Sequence, residues 1–109
     1  MAEFVKVAAV GDVPAGEAKL VRVGDRFLAL YNCDGTYYAT DDTCSHAEAS
    51  LSEGFLQGCE IECPLHGGRF DVRTGKATWS PAFVPIATYE VRVEGPDVLV
   101  ATEPNARAR

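Results

Sequence analysis

Hydrophobic and polar positions alternate along this chain in short bursts, with no sustained 3.6-residue period, a pattern that predicts strands. Residues 3–9 alternate loosely. Residues 17–23 alternate cleanly, with Ala18, Leu20 and Arg22 on one side and Lys19, Val21 and Val23 on the other. Gly24-Asp25 suits a two-residue hairpin turn, and residues 26–31 follow as the partner strand. Residues 32–35 form the next turn, where Asp34-Gly35 is a second hairpin signal, and a β-branched and aromatic strand follows over 36–40. Further strands are expected over 58–63, 69–72, 88–94 and 97–102, the last two joined across Gly95-Pro96. Residues 12–16 and 73–76 read as turns, and a short helical piece fits over 47–52. Two prolines keep 80–85 out of a sheet interior. The polar end, 103–109, is expected to fray.

Strands before residue 42 and after residue 87 thus frame a middle segment rich in turns. Short strands at this spacing imply an all-β sandwich or partly open barrel. The simplest arrangement is one domain over 1–109. Its base is built from about 1–42 and 78–109, and a smaller cap from about 43–77.

With 109 residues, 47% of them hydrophobic and 24% charged, the chain can bury one core without help from disulfides. The opening Met1-Ala2-Glu3-Phe4 lacks a basic stretch leading into an apolar one. No run nears the roughly 20 apolar residues of a membrane span. The expected location is the cytoplasm, with no membrane partner. In that reducing compartment the four cysteines are not expected to pair. Cys33 and Cys59, in strand-like stretches, read as buried thiols.

A net charge of −6 argues against nucleic acid, which demands a basic surface. The imbalance is local. Residues 41–72 hold Asp41, Asp42, Glu48, Glu53, Glu60, Glu62 and Asp71 against Arg69 alone, and acids and bases cancel elsewhere. Any one of these carboxylates suits a solvated surface. As a group they suit a field that steers a basic partner in a salt-dependent way.

The same stretch holds both histidines. Cys44-Ser45-His46 opens it and Cys63-Pro64-Leu65-His66 closes it, with 47–62 between. A lone histidine or cysteine in a small domain is most often a satisfied structural residue. Here each histidine sits two or three positions from a cysteine, and Gly67-Gly68 follows the second pair. Thiolate and imidazole are the ligands that suit iron–sulfur clusters, zinc and copper. Structural zinc sites generally pair like ligands, as in C-x₂-C with H-x₃-H. Mixing one sulfur and one nitrogen in each half fits a [2Fe–2S] cluster with two cysteines on one iron and two histidines on the other.

Cys44-x-His46 with Cys63-Pro64-x-His66-Gly67 resembles the signature of the Rieske iron–sulfur family. The resemblance continues through Arg69-Phe70-Asp71, Thr74-Gly75-Lys76, Pro85-Ile86 and Thr88-Tyr89-Glu90-Val91, and spans about residues 3–102. Within that family the chain is similar to the small ferredoxins of bacterial aromatic-ring dioxygenase systems, of the biphenyl, toluene and benzene type. The resemblance implies the Rieske fold, a β base with an inserted cluster-binding subdomain. It implies Cys44, His46, Cys63 and His66 as ligands of one [2Fe–2S] cluster. It also implies one-electron transfer from an NAD(P)H-dependent, FAD-containing reductase to a terminal oxygenase, in the catabolism of aromatic hydrocarbons. Pro81 lies in a segment resembling the loop that closes a third side of the cluster; as an ordinary turn proline it reads almost as well. The alternatives are a small Rieske-type subunit of an assimilatory nitrite reductase and a zinc-binding interaction domain.

No catalytic residue is expected. A non-haem oxygenase needs a 2-His-1-carboxylate iron site, and both histidines are already committed. Neither a nucleophile with a free base nor a nucleotide motif is present. The potential is expected at the low end of the Rieske range, roughly −150 mV. High-potential relatives carry a disulfide at the positions of Ala49 and Leu65, and hydroxyl donors to the cluster sulfurs at those of Gly68 and Phe70. Without those donors the extra negative charge of the reduced state is less stable.

Overall fold

The computed structural model describes residues 3–44, 49–65, 67–80 and 84–105. Four strands open the chain: β1 (Phe4–Ala9), β2 (Ala18–Val23), β3 (Arg26–Cys33) and β4 (Thr36–Asp41). A single 3₁₀ turn, Leu51–Glu53, precedes β5 (Phe55–Gln57), β6 (Glu60–Glu62), β7 (Arg69–Asp71) and β8 (Ala77–Trp79). The chain then returns through β9 (Thr88–Tyr89), β10 (Val91–Glu94) and β11 (Asp97–Ala101). All pairings are antiparallel, in three sheets of order β1-β11-β10, β2-β3-β4-β9 and β5-β6-β7-β8. The fold is all-β.

Both early hairpins form as their turn residues require. Val23 pairs with Arg26 across Gly24-Asp25, and Cys33 with Thr36 across Asp34-Gly35. Asp34 takes φ 54°, the left-handed region this two-residue turn demands. β3 therefore runs two residues past the expected 26–31. The expected strand over 88–94 is two strands. Tyr89 pairs with Ala39 of β4, whereas Val91 pairs with Val100 of β11, so the chain changes sheets at Glu90. β5 and β8 were not expected; they are three-residue edges, too short to show a period, recruited by β6 and β7. Within the expected helix 47–52, Leu51 and Ser52 lie in the 3₁₀ turn, and 47–48 are outside the described residues. Of the tail, Asn105 is tied down: its N–H donates to Thr88 O (2.8 Å) and its Nδ2 to Thr88 Oγ1 (3.1 Å).

Leu28, Ala29, Leu30 and Tyr31 are all fully buried, in unbroken succession. A strand packed on both faces reads as a continuous apolar run instead of an alternating one. Leu28 and Leu30 face the base core with Val21, Val23, Ala39, Tyr89, Val98 and Val100. Ala29 and Tyr31 face a second core with Leu51, Ile61, Phe70, Val72 and Ile86, which belongs to the β5-β6-β7-β8 sheet and its approaches. β3 is thus the floor on which that sheet stands.

Cys33 and Cys59 are joined in a disulfide, with their Cα atoms 5.4 Å apart. This corrects the expectation of two thiols. Cys33 ends β3 and Cys59 sits in the β5–β6 turn, so the bridge ties the base to the cap. Twenty-six residues separate them in sequence, and only the stacking of the cap sheet on β3 brings them together.

Candidate metal centre

Each half of the cysteine–histidine pattern sits in a loop whose neck is closed in the same way. The first loop leaves β4. Thr43 bridges Ser50, and Cys44 N–H donates to Ala49 O at 3.0 Å. The second loop leaves β6 and returns as β7, and Cys63 N–H donates to Gly68 O at 2.7 Å. In both, the cysteine N–H reaches the carbonyl five residues further on. Cys44 and Cys63 are 3% and 1% exposed and belong to one buried cluster with Ile61, Phe70 and Leu51. They are the two cysteines outside the disulfide.

The loops are held close by an approach that only glycine permits. A Cβ on Gly54 would run into the carbonyl oxygen of Glu62, the residue before Cys63. Gly54 N–H in turn donates to Leu51 O at 2.9 Å, the end of the 3₁₀ turn that follows the first loop. At the far side, Gly75 lies at φ 80°, and a Cβ there would meet the carbonyl of Ile86. Ile86 N–H donates to Gly75 O at 2.9 Å, stitching the end of the cap to the base.

His46, His66 and Pro81 lie outside the described residues. Among the described residues no three metal-binding side chains gather, so the described part of the site is its sulfur half. That half fits a [2Fe–2S] cluster. The donor set supplies two thiols, both desolvated in one apolar core, at the mouths of two loops that each carry a histidine close by. Cys33 and Cys59, bound to each other, do not compete. Gly68 and Phe70 are both buried and bring no hydroxyl to the site.

The carboxylates around the loops are partly spoken for. Arg69 pairs with Glu62 (Nη2–Oε1 3.1 Å) and lies over the Trp79 ring, 5.5 Å from its centroid. Arg73 grips Asp71 with two bonds, Nε–Oδ1 3.0 Å and Nη2–Oδ2 2.9 Å. That donation holds the Asp71 carboxyl below its ordinary range, against a smaller opposing effect of burial. Tyr89 donates to Asp41 at 2.7 Å, and burial is the main cause of its raised phenol pKa. Burial likewise pushes the Tyr31 phenol well up. Charge counted along the sequence missed the Arg73–Asp71 pair, because Arg73 stands just past the acidic stretch.

The description of the Rieske [2Fe-2S] domain family matches residues 3–90 of the chain. The chain belongs to this family. It is 46% identical over 100 residues to the ferredoxin component of the naphthalene 1,2-dioxygenase/salicylate 5-hydroxylase systems of a Ralstonia species, covering 92% of this chain and 96% of that one. Its fold matches the structure of the complex of reduced oxygenase and oxidized ferredoxin in carbazole 1,9a-dioxygenase, with TM-score 0.91 and 47% identity over 95% of this chain and 97% of that one. A protein named as a nitrite reductase small subunit has TM-score 0.77 at 21% identity, covering 90% of this chain and 97% of that one, which shows the fold alone. This Rieske protein carries a [2Fe–2S] cluster and is a ferredoxin, an electron carrier instead of a catalytic enzyme.

When bound, such a cluster takes up and releases one electron. The chain's part is to hold it. The closed necks fix the two cysteines, the apolar core around them excludes water, and β3 anchors both to the base. Among the described residues no helix is long and apolar enough to cross a membrane.

Proposed function

We propose that this ferredoxin holds one [2Fe–2S] cluster through Cys44 and Cys63 on one iron and His46 and His66 on the other. It carries one electron from an NAD(P)H-dependent, FAD-containing reductase to a terminal aromatic-ring dioxygenase. The observation that carries this is the pair of buried cysteines in matching closed loops, each a few residues from a histidine. The base, about 1–42 and 78–109, is a platform, and the inserted cap, about 43–77, is the carrier. The free nitrogens of His46 and His66 are the exit for the electron. With NAD(P)H as its source of electrons, the protein would act in the cytoplasm.

The test uses the purified holoprotein. Equal amounts of iron and acid-labile sulfide, two of each per chain, are expected. Stopped-flow mixing of the reduced ferredoxin with an aromatic-ring dioxygenase should oxidise it by one electron per chain. Zinc without sulfide, or a reduced protein that the oxygenase leaves reduced, would overturn the proposal. Replacing His46 or His66 by alanine should abolish transfer with the base still folded.

A further inference from the structure

Asp42 is a buried carboxylate, 6% exposed, outside the cysteine–histidine pattern. It stands at the joint between base and first ligand loop. Its N–H donates to Phe27 O of β3 at 3.1 Å. Its carbonyl accepts from Leu51 N–H at 2.7 Å, so the backbone of residue 42 already spans the loop neck. The carboxylate doubles that link: Oδ2 accepts from Ser50 Oγ at 2.6 Å and Oδ1 from Ser52 N–H at 2.9 Å. Ser50 and Ser52 are also joined through their hydroxyls at 2.8 Å.

The 3₁₀ turn Leu51–Glu53 explains why a residue so far away is needed. Its N-cap is Ser50, and the Ser50 side chain makes no capping bond to the turn. The first N–H groups of a helical turn need acceptors. Asp42 supplies them from across the loop, through its carbonyl and one carboxylate oxygen. Thr43 and Cys44 follow directly from this neck.

We infer that Asp42 is the positioning residue of the first ligand loop, its carboxylate clamping Ser50 and Ser52 so that Cys44, two residues on, is held in one fixed geometry. Its observed partners are Ser50, Leu51, Ser52 and Phe27, and it acts through the loop. The inference rests on the proposal that Cys44 and His46 are cluster ligands.

The test is paired. Asp42→Ala removes both clamp bonds. Asp42→Asn keeps an oxygen for Ser52 N–H and offers Nδ2 to Ser50 Oγ. In the alanine variant the reduced cluster should show broadened paramagnetic resonance lines, because ligand geometry spreads, and iron loss to a chelator should run about tenfold faster. The asparagine variant should recover native linewidths and come within about threefold of the native rate. Native linewidths and native iron loss in Asp42→Ala overturn the inference, and so does an asparagine variant as impaired as alanine. If Asp42→Ala does not fold, Ser50→Ala breaks one clamp bond. Broadened lines then support the inference and native lines overturn it. Loss of the cluster reading itself looks different: the unaltered protein would hold no iron or sulfide.

Discussion

In the base, Leu28, Leu30, Val98 and Val100 are fully buried on strands of eight and five residues. In the cap, Ile61 and Phe70 are buried as completely on strands of three. Equal burial does not mean equal independence. Long paired strands with an apolar face make a self-sufficient sheet, whereas short ones are marginal alone. The cap borrows what it lacks: Ala29 and Tyr31 of β3 for its floor, the Cys33–Cys59 bridge, the clamp at Asp42 and the seam at Gly75–Ile86. Metal binding adds stability to loops whose ligands it joins. A region built largely from turns and three-residue strands needs ties.

The largest effect should come from splitting the two cores. Phe70→Ala should cost about 3–5 kcal/mol and fall on the cap, so that amides of β6 and β7 exchange faster with those of β10 and β11 unchanged. Leu30→Ala, at about 2–5 kcal/mol, should speed exchange in both. Uniform exchange in the two variants would mean one indivisible core.

Opening the bridge comes next. Cys33→Ser should lower stability by about 2–4 kcal/mol in denaturant unfolding of oxidised protein. Under strong reductant the difference from the unaltered chain should nearly vanish.

Gly54→Ala should cost about 1–3 kcal/mol as an overpacked site. The obstacle is backbone, the Glu62 carbonyl, so no side-chain rotation relieves it. The displacement reaches Cys63 next door, and a shifted cluster absorption spectrum should accompany the lost stability. An alanine variant with native spectrum and stability would show that the loops are not held by this contact.

The smallest effect is electrostatic. Arg73 holds the folded-state pKa of Asp71 below its ordinary value. A depressed carboxyl stabilises the fold above its unfolded pKa, and that contribution disappears as pH falls through the folded value. Arg73→Ala should therefore lower the melting temperature modestly at neutral pH and not at all in acid below the carboxylate range. An equal loss at both would assign the effect to packing.

The contrast between base and cap also decides what could be read from the chain. The base was legible: alternation over 17–23 and the turns at Gly24-Asp25 and Asp34-Gly35 are local signals, and they give β2, β3 and β4 directly. Cys44 and Cys63 stood out because each lies a short spacing from a histidine, and both are buried in one core. Three features depend on tertiary pairing and leave no local trace. β5 and β8 are three-residue edges, Cys33 meets Cys59 only through stacking, and Asp42 looks like any surface acid until Ser50 and Ser52 bind it. The break at Glu90 is hidden for the same reason, since an unbroken strand-like pattern says nothing about a change of sheet.

The central claim is that two nitrogens and two sulfurs share one pair of irons. Paramagnetic resonance of the reduced protein with ¹⁵N-labelled histidine tests it most directly. The account predicts hyperfine couplings to two histidine nitrogens, lost one at a time in His46→Ala and His66→Ala if those variants retain a cluster. A reduced cluster without nitrogen couplings, or a protein holding one metal ion and no sulfide, would contradict it.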